Sequence, residues 1–309
     1  MAKRKSGKGG GASTPKLLLG ALLAVGFGLG LGLILGQQAC DRKAPAKAAP
    51  KAAPKPAHKD VKPEVPRPHP TPERAEPPKP LPAKPKAPEP EKPRLALIID
   101  DLGYMEPELV RRLCSLPIPF SVAVLPYQEH TKESADIAFD LGKEVLLHFP
   151  MEGIPGKDPG PDALLFSLPE PELRARAKKA LWAVPHIVGT NNHMGSRLTA
   201  DRAKIRPVLE EVKARKIWFL DSRTTKDTVA HEVAHELGLK TAQRNVFLDD
   251  DKRFEEIDKQ WKRALALAKK DGTAIVIGHI YPETVEALEK LVRRDRDEVR
   301  FVKAGEVVQ

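Results

Sequence analysis

Cysteine is nearly absent from this chain: two in 309 residues, Cys40 and Cys114, stand on opposite sides of a long proline-rich stretch, so no disulfide framework is indicated. Net charge is missing from residues 94–309, where 34 Lys/Arg meet 35 Asp/Glu for a balance of −1. That argues against a nucleic-acid protein, which carries its basic footprint on the domain that docks. The formal +10 of the whole chain arises in residues 1–93, with 18 Lys/Arg against 7 Asp/Glu, and this basic part is the one attracted to anionic surfaces. Large apolar side chains are scarce from 41 to 93, where 17 of the 31 prolines interleave with Ala and Lys. Such a segment cannot bury enough surface to fold and is expected to sample extended polyproline conformations, reaching about 160 Å at about 3.1 Å per residue.

Long apolar runs are absent but for one. Residues 17–36, LLLGALLAVGFGLGLGLILG, form a run of 20 without charge, long enough at about 1.5 Å per residue to cross a hydrocarbon core. Lys3, Arg4, Lys5, Lys8 and Lys16 precede it with no acid among them, which holds the N-terminus in the cytoplasm and sends the rest across. Gln37, Gln38 and Cys40 fit poorly as a signal-peptidase or lipid-attachment site, so an uncleaved anchor is expected. Gly28, Gly32 and Gly36 could pack two such spans together. The expected organisation is a basic cytoplasmic tail (1–16), a transmembrane anchor or signal sequence (17–36), the anchor favoured, a disordered Pro/Ala/Lys-rich linker (37–93) and one domain (94–309) facing the extracytoplasmic side of the inner membrane.

Within that domain, short β-branched runs alternate with amphipathic stretches. LALIID (95–100), FSVAVLP (120–126), EVLLHFP (144–150), IVGTNNH (187–193), IWFLDS (217–222), NVFLD (245–249) and AIVIGHI (274–280) read as buried strands, with VRFV (299–302) a possible eighth. Leu173, Ala177, Leu181 and Val184 line one helical stripe; Phe254, Ile257, Trp261, Leu265 and Ala268 line another. The alternation predicts an α/β domain, either a parallel barrel or a doubly wound sheet. Polar residues gather at one end of the strands: Asp100 and Asp101, His148, His193, Asp221, Asp249 and Asp250, and His279. In a parallel architecture those ends open on one face, so residues far apart in sequence converge there. Carboxylates with several imidazoles on that face could hold a divalent metal, zinc being the first choice for mixed N and O ligands.

A local motif competes. HEVAHELG (231–238) carries the H-E-x-x-H pattern of zinc peptidases, in which His231 and His235 share one helix face and Glu232 is the base. Here Val229, Ala230, Val233, Ala234 and Leu237 form the apolar stripe, which turns both histidines toward solvent. A third ligand would have to be Glu255, beyond an intervening strand.

The stretches LALIIDDLGY, LLHFPME, NNHMGSRLT, FLDSRTT, RNVFLDDD and IGHIYPETVEAL together resemble the divergent polysaccharide deacetylase family, a branch of the NodB-like deacetylases. The resemblance covers about 94–309 and implies a distorted (β/α) barrel of seven or eight units. It implies Asp100 as general base, Asp101 and His148 as metal ligands and His279 as general acid. Relatives take a second metal histidine from just after the first, but positions 149–160 contain none, and His193 is taken in its place. Asp221, Arg223 and Arg244 are expected to orient these groups or the substrate.

The implied reaction is metal-assisted removal of acetyl from an N-acetylated envelope glycan, with the membrane engaged through residues 17–36, no nucleic acid expected and no protein partner identifiable. The three tyrosines, Tyr104, Tyr127 and Tyr281, each follow a predicted strand, where their rings could stack on sugars or pack beneath their own turns. Two alternatives stand beside this: an inactive barrel serving as a glycan-binding or envelope-assembly module, favoured by the missing histidine, and the zinc peptidase.

Overall fold

Leu95–Ile99 is apolar on both faces, as a strand covered from two sides requires, and every side chain from Leu95 to Ile99 is fully buried. This run forms β1 (Arg94–Leu102) in the computed structural model, which describes residues 91–309. The expected tail, anchor and linker lie outside the described residues, apart from 91–93. Among the described residues no helix is long and apolar enough to cross a membrane. Strands and helices then alternate: α1 (Pro107–Cys114), β2 (Ser121–Val124), α2 (Thr131–Asp140), β3 (Glu144–Met151), α3 (Glu170–Ala183), β4 (Ile187–Met194), α4 (Arg202–Ala214) and β5 (Trp218–Asp221). After α5 (Ala230–Glu236) come β6 (Thr241–Gln243), β7 (Val246–Phe247), α6 (Phe254–Asp271), β8 (Thr273–His279), α7 (Pro282–Asp295) and β9 (Arg300–Val302).

All ladders are parallel, and the strand order is β6-β5-β4-β3-β2-β1-β8-β7, with β9 beside the first residues of β1. The two edge strands, β6 and β7, are joined by only Arg244 and Asn245. Such a connection spans roughly 11 Å at most, so the sheet must curl until its edges approach. It does not zip shut. The Arg244 N–H donates to the Asp221 carbonyl and the Asn245 N–H to the Ile275 carbonyl, and β6 and β7 form no ladder with each other. The expected barrel is therefore a curled parallel sheet with an open seam. Two details of the sequence reading change with it: β6 was not expected, and NVFLD pairs only at Val246 and Phe247.

The curl creates two apolar layers. Leu95, Leu97 and Ile99 face the helices, where Ile257, Trp261, Leu265 and Ala268 of α6 and Leu173, Ala177 and Leu181 of α3 cover the sheet. Phe254, placed on that stripe by periodicity, is 39% exposed, since it opens the helix outside the contact. Ala96, Ile98, Leu146, Leu220, Ile275 and Ile277 face inward instead, above a floor made by Trp218 and the C-terminal Val302, Ala304, Val307 and Val308. Each fully buried Leu or Ile contributes about 1.5–3 kcal/mol. Gly189 makes room for the floor, because a Cβ at that position would collide with the Trp218 ring. With its base filled by apolar side chains, the curl can hold a solvent-filled site only at the strands' C-terminal ends.

Candidate metal centre and active site

Strand side chains alternate between faces, so Ile98 and Asp100 point into the curl while Ile99 points to the helices. By the same alternation Asp101 should turn outward. It is re-aimed by a break in register between Ile99 and Leu102 and by a left-handed backbone, φ 66°. Strain of this kind costs a non-glycine residue about 1–2 kcal/mol, and it brings both carboxylates of the pair inside. Tyr127, Met194 and Arg223 also have positive φ just after or at the end of their strands, on this same rim. On β3 and β4, His148 pairs with Asn191, and His193 lies two residues further along, on the same face as Asn191.

These registers bring three ligand atoms together. Asp101 Oδ1 is 3.1 Å from His148 Nε2 and 3.0 Å from His193 Nδ1, and the two ring nitrogens are 3.1 Å apart. An ion with tetrahedral bonds of about 2.0–2.1 Å separates its ligands by about 3.3 Å, so the cluster needs only slight expansion to hold one. Its hydrogen bonding suits a cation too. His148 Nδ1 donates to Asn191 Oδ1 at 2.8 Å, while the Asn191 amide donates to both oxygens of Asp100 at 2.8 and 3.1 Å. With Nδ1 donating to Asn191, a neutral His148 ring would present its Nε2 lone pair to the cluster, as a metal ligand requires; despite burial, the neighbouring carboxylates favour the protonated ring without a cation. Asp101 Oδ1 is buried without a hydrogen-bond partner. Electron-rich atoms buried face to face need positive charge among them, supplied either by protons on the imidazoles or by a bound cation. Among the described residues this is the one group of three or more His, Cys, Asp or Glu so arranged.

The surrounding titrations follow from burial and charge. Burial pushes the Asp100 carboxyl up, against the opposing pull of His148, His279 and Asn191. Burial also acts to raise Asp101, but with no cation between them the imidazoles of His148 and His193, when protonated, donate to it and hold this carboxyl far below the usual range. His279 sits across the β1–β8 ladder from Asp100, in register with it. Its Nδ1 meets Asp249 Oδ1 at 2.9 Å, while Asp249 Oδ2 accepts from the His279 backbone N–H at 2.7 Å and from Thr284 Oγ1 at 2.8 Å. Burial would lower the imidazole's pKa, but Asp249 dominates and pushes it up to about 9, so His279 carries a proton at neutral pH.

Asp100, His148, His193 and His279 open onto one cleft of about 540 Å³, a size suited to one or two sugar rings. Arg223, Arg244 and Tyr281 line it as well. Asp221 is committed to its own loop instead, accepting from the Arg223 N–H at 2.8 Å and from Thr228 Oγ1 at 2.8 Å. Tyr104 is 44% exposed; its hydroxyl is pushed up to about 12 by burial, with the charge of Asp101 adding to the effect. Tyr127 is not among the cleft's lining residues, and the Lys179 ammonium lies over its ring. Two supporting residues escaped sequence reasoning. Asn191 had a signal, the two-residue spacing to His193 on one strand; Asp249 was visible at a strand end but carried nothing to link it to His279.

The HEVAHELG segment does form a helix, α5, and its apolar side is buried as expected. His235 and Glu232 are exposed, and Glu232 pairs with Arg202. His231 turns to Thr241 Oγ1 at 3.2 Å. Glu255 lies in the first turn of α6, exposed. Among the described residues they form no group of ligand atoms that could hold a metal, so the structure gives the peptidase alternative no support: as expected, core packing fixes the helix's rotation and leaves His235 outside, with His231 turned to Thr241.

Comparison with known proteins bears on the family and the fold. Residues 97–308 match the family model described as divergent polysaccharide deacetylase. The uncharacterized protein YibQ of Escherichia coli is 35% identical over 215 residues, 70% of this chain and 67% of that protein. An uncharacterized Haemophilus influenzae protein is 32% identical over 212 residues, 69% of this chain and 75% of its own length. Among solved structures, the uncharacterized protein ATU2773 of Agrobacterium tumefaciens shares the fold, with a TM-score of 0.65 at 22% identity, covering 69% of this chain and 87% of that one.

Proposed function

Because this chain belongs to the divergent polysaccharide deacetylase family, we propose that it removes acetyl groups from an N-acetylated envelope glycan with a divalent metal, zinc for preference, held by Asp101, His148 and His193. The observation that carries the proposal is the meeting of those three ligand atoms, 3.0–3.1 Å apart, beside Asp100 in the cleft that His279 also lines. A divalent cation supplies polarisation of an acetyl carbonyl and a lowered pKa for water.

The chain's own residues do the rest. Asp100, raised by burial and steadied by Asn191, takes the proton from the attacking water. His279, kept protonated by Asp249, delivers a proton to the departing sugar nitrogen, which cannot leave as an amide anion. Thr284 and the His279 backbone N–H hold Asp249 in place, so the acid is positioned before substrate arrives. His193 completing the cluster supports turnover over the inactive-module reading, which rested on the missing second histidine. The sequence of residues 17–93 supports placement outside the cytoplasmic membrane, on an anchor and tether; cleavage of the domain in spheroplasts but not in whole cells or inverted vesicles by added protease is the expected result.

The direct test is to incubate the purified full-length protein with zinc and N-acetylated envelope glycan and to measure acetate and free amine together. Equal amounts of both are expected. Acetate without new amine would point to an ester substrate, and neither product from a zinc-loaded protein would end the reading.

A further inference from the structure

The wall of the cleft formed by the β5 loop and the seam carries positive charge that the proposed reaction does not use. Arg244 Nε donates to the Ser222 carbonyl at 2.6 Å and its terminal nitrogen to the Arg223 carbonyl at 2.8 Å, which locks the guanidinium in place. A guanidinium has five N–H donors, and these two bonds leave others free. Among the described residues no carboxylate lies within 4.0 Å of Arg244, nor of Arg223. Arg223 is set beside it by a strained turn, φ 49°, pinned by Asp221. The Ser222 hydroxyl, 4% exposed, lines the same wall and is buried with no partner.

Behind this wall a second hollow of about 400 Å³ continues from the cleft, sharing Arg223 and Arg244 and adding Lys226 and Arg263 against one carboxylate, Asp250. The Arg244 guanidinium is fixed and half-buried with Asp100 and Asp221 acting on it only from beyond ion-pair distance, and a planar oxyanion is the group that two guanidinium forks and a hydroxyl fit best. We infer that Arg223, Arg244 and Ser222 form a subsite for a carboxylate carried by a sugar next to the acetylated one, so that the substrate is an acidic glycan. This inference rests on the deacetylase reading for the identity of the neighbouring sugar, but the subsite can be tested apart from turnover.

The test uses zinc-loaded full-length protein in detergent and two probes: a hyaluronan tetrasaccharide, in which N-acetylglucosamine alternates with glucuronate, and the same tetrasaccharide with its carboxylates reduced to alcohols. Calorimetric binding of the acidic form is expected to be about tenfold tighter, from two charge-assisted contacts. Arg223→Gln, whose side chain makes no hydrogen bond or ion pair among the described residues, is expected to bring the two probes within about threefold of each other, and Ser222→Ala to narrow the gap less. Arg244→Gln should do the same if it folds; Arg223→Gln keeps the test decisive if it does not. Equal binding of the two probes by wild type, binding of neither, or a preference that survives Arg223→Gln overturns the inference. Acetate release from N-acetylated envelope glycan by the same protein separates the two ideas: an acid preference without it leaves the subsite standing and removes the deacetylase, and release with no preference does the reverse.

Discussion

Two parts of this molecule offer histidines and carboxylates, and they differ in everything but composition. HEVAHELG packs its candidates into five consecutive residues on one helix, while the strand-end cluster draws Asp101, His148 and His193 from three separate strands. The helix earns nothing from the proximity, because Val233 and Ala234 face the core and hold His235 and Glu232 in solvent. The strands gain from their distance: a parallel sheet aligns their C-terminal ends, and a register set by backbone hydrogen bonds fixes each side chain's height. Spacing in sequence becomes proximity at a site only when the element's buried face points the same way.

Metal content tests that contrast most directly. Asp101→Ala and His148→Ala are each expected to reduce zinc from about one equivalent to under about a tenth, whereas His231→Ala should leave it unchanged; elemental analysis of the purified variants decides, and loss with His231→Ala would invert the comparison. Next in size is turnover. Asp100→Asn should keep the metal yet lower acetate release by about 10²–10⁴-fold, the usual weight of a general base. If the variant instead retains most of its activity, the base lies elsewhere on the rim.

The acid predicts a smaller, pH-resolved effect. In metal-free protein the His279 imidazole is expected to titrate at about 9, followed by NMR of its ring protons. Its folded pKa is raised, so the stability it contributes is fully present below the ordinary value of 6.5 and is lost as pH rises through about 9. Asp249→Asn removes the main support and should move the titration down toward the ordinary value, shrinking that alkaline loss. An unmoved titration would show that Asp249 is not what holds the proton.

Much of this was legible because buried parallel strands write themselves as apolar runs and their polar ends stand out. The convergence of Asp100, Asp101, His148, His193 and His279 at one end of the strands came from such local signals, while the roles of the paired aspartates and the choice of His193 for a histidine expected near 149–160 came from the resemblance to the family. What resisted were features that depend on a partner far along the chain. The open seam turns on two residues, Arg244 and Asn245, bonding to β5 and β8 instead of to each other's strands. The inward turn of Asp101 needs a bulge that alternation alone would forbid. Asn191 reads as one polar residue in a strand until His148 and Asp100 are seen on either side of it. β6, three residues at an edge, carries too short a pattern to be seen.

The smallest expected effect lies on the helix and is the strictest check of its idleness. His231 is partly buried against Thr241, and burial lowers its pKa, with opposing contributions from nearby carboxylates. A histidine depressed in the fold binds protons more readily once unfolded, so acidification through the ordinary value of 6.5 draws the chain slightly toward unfolding. His231→Gln removes that term, and the midpoint of denaturant unfolding at pH 5.5 should move closer to its value at pH 8 than it does in the unaltered chain. His235→Ala, at an exposed position, should change neither midpoint by more than the equivalent of about 0.5 kcal/mol. A pair gripping a metal would behave in the opposite way: both variants would lose stability together, and the loss would grow with added zinc, since a ligand that binds only the folded state stabilises it by mass action.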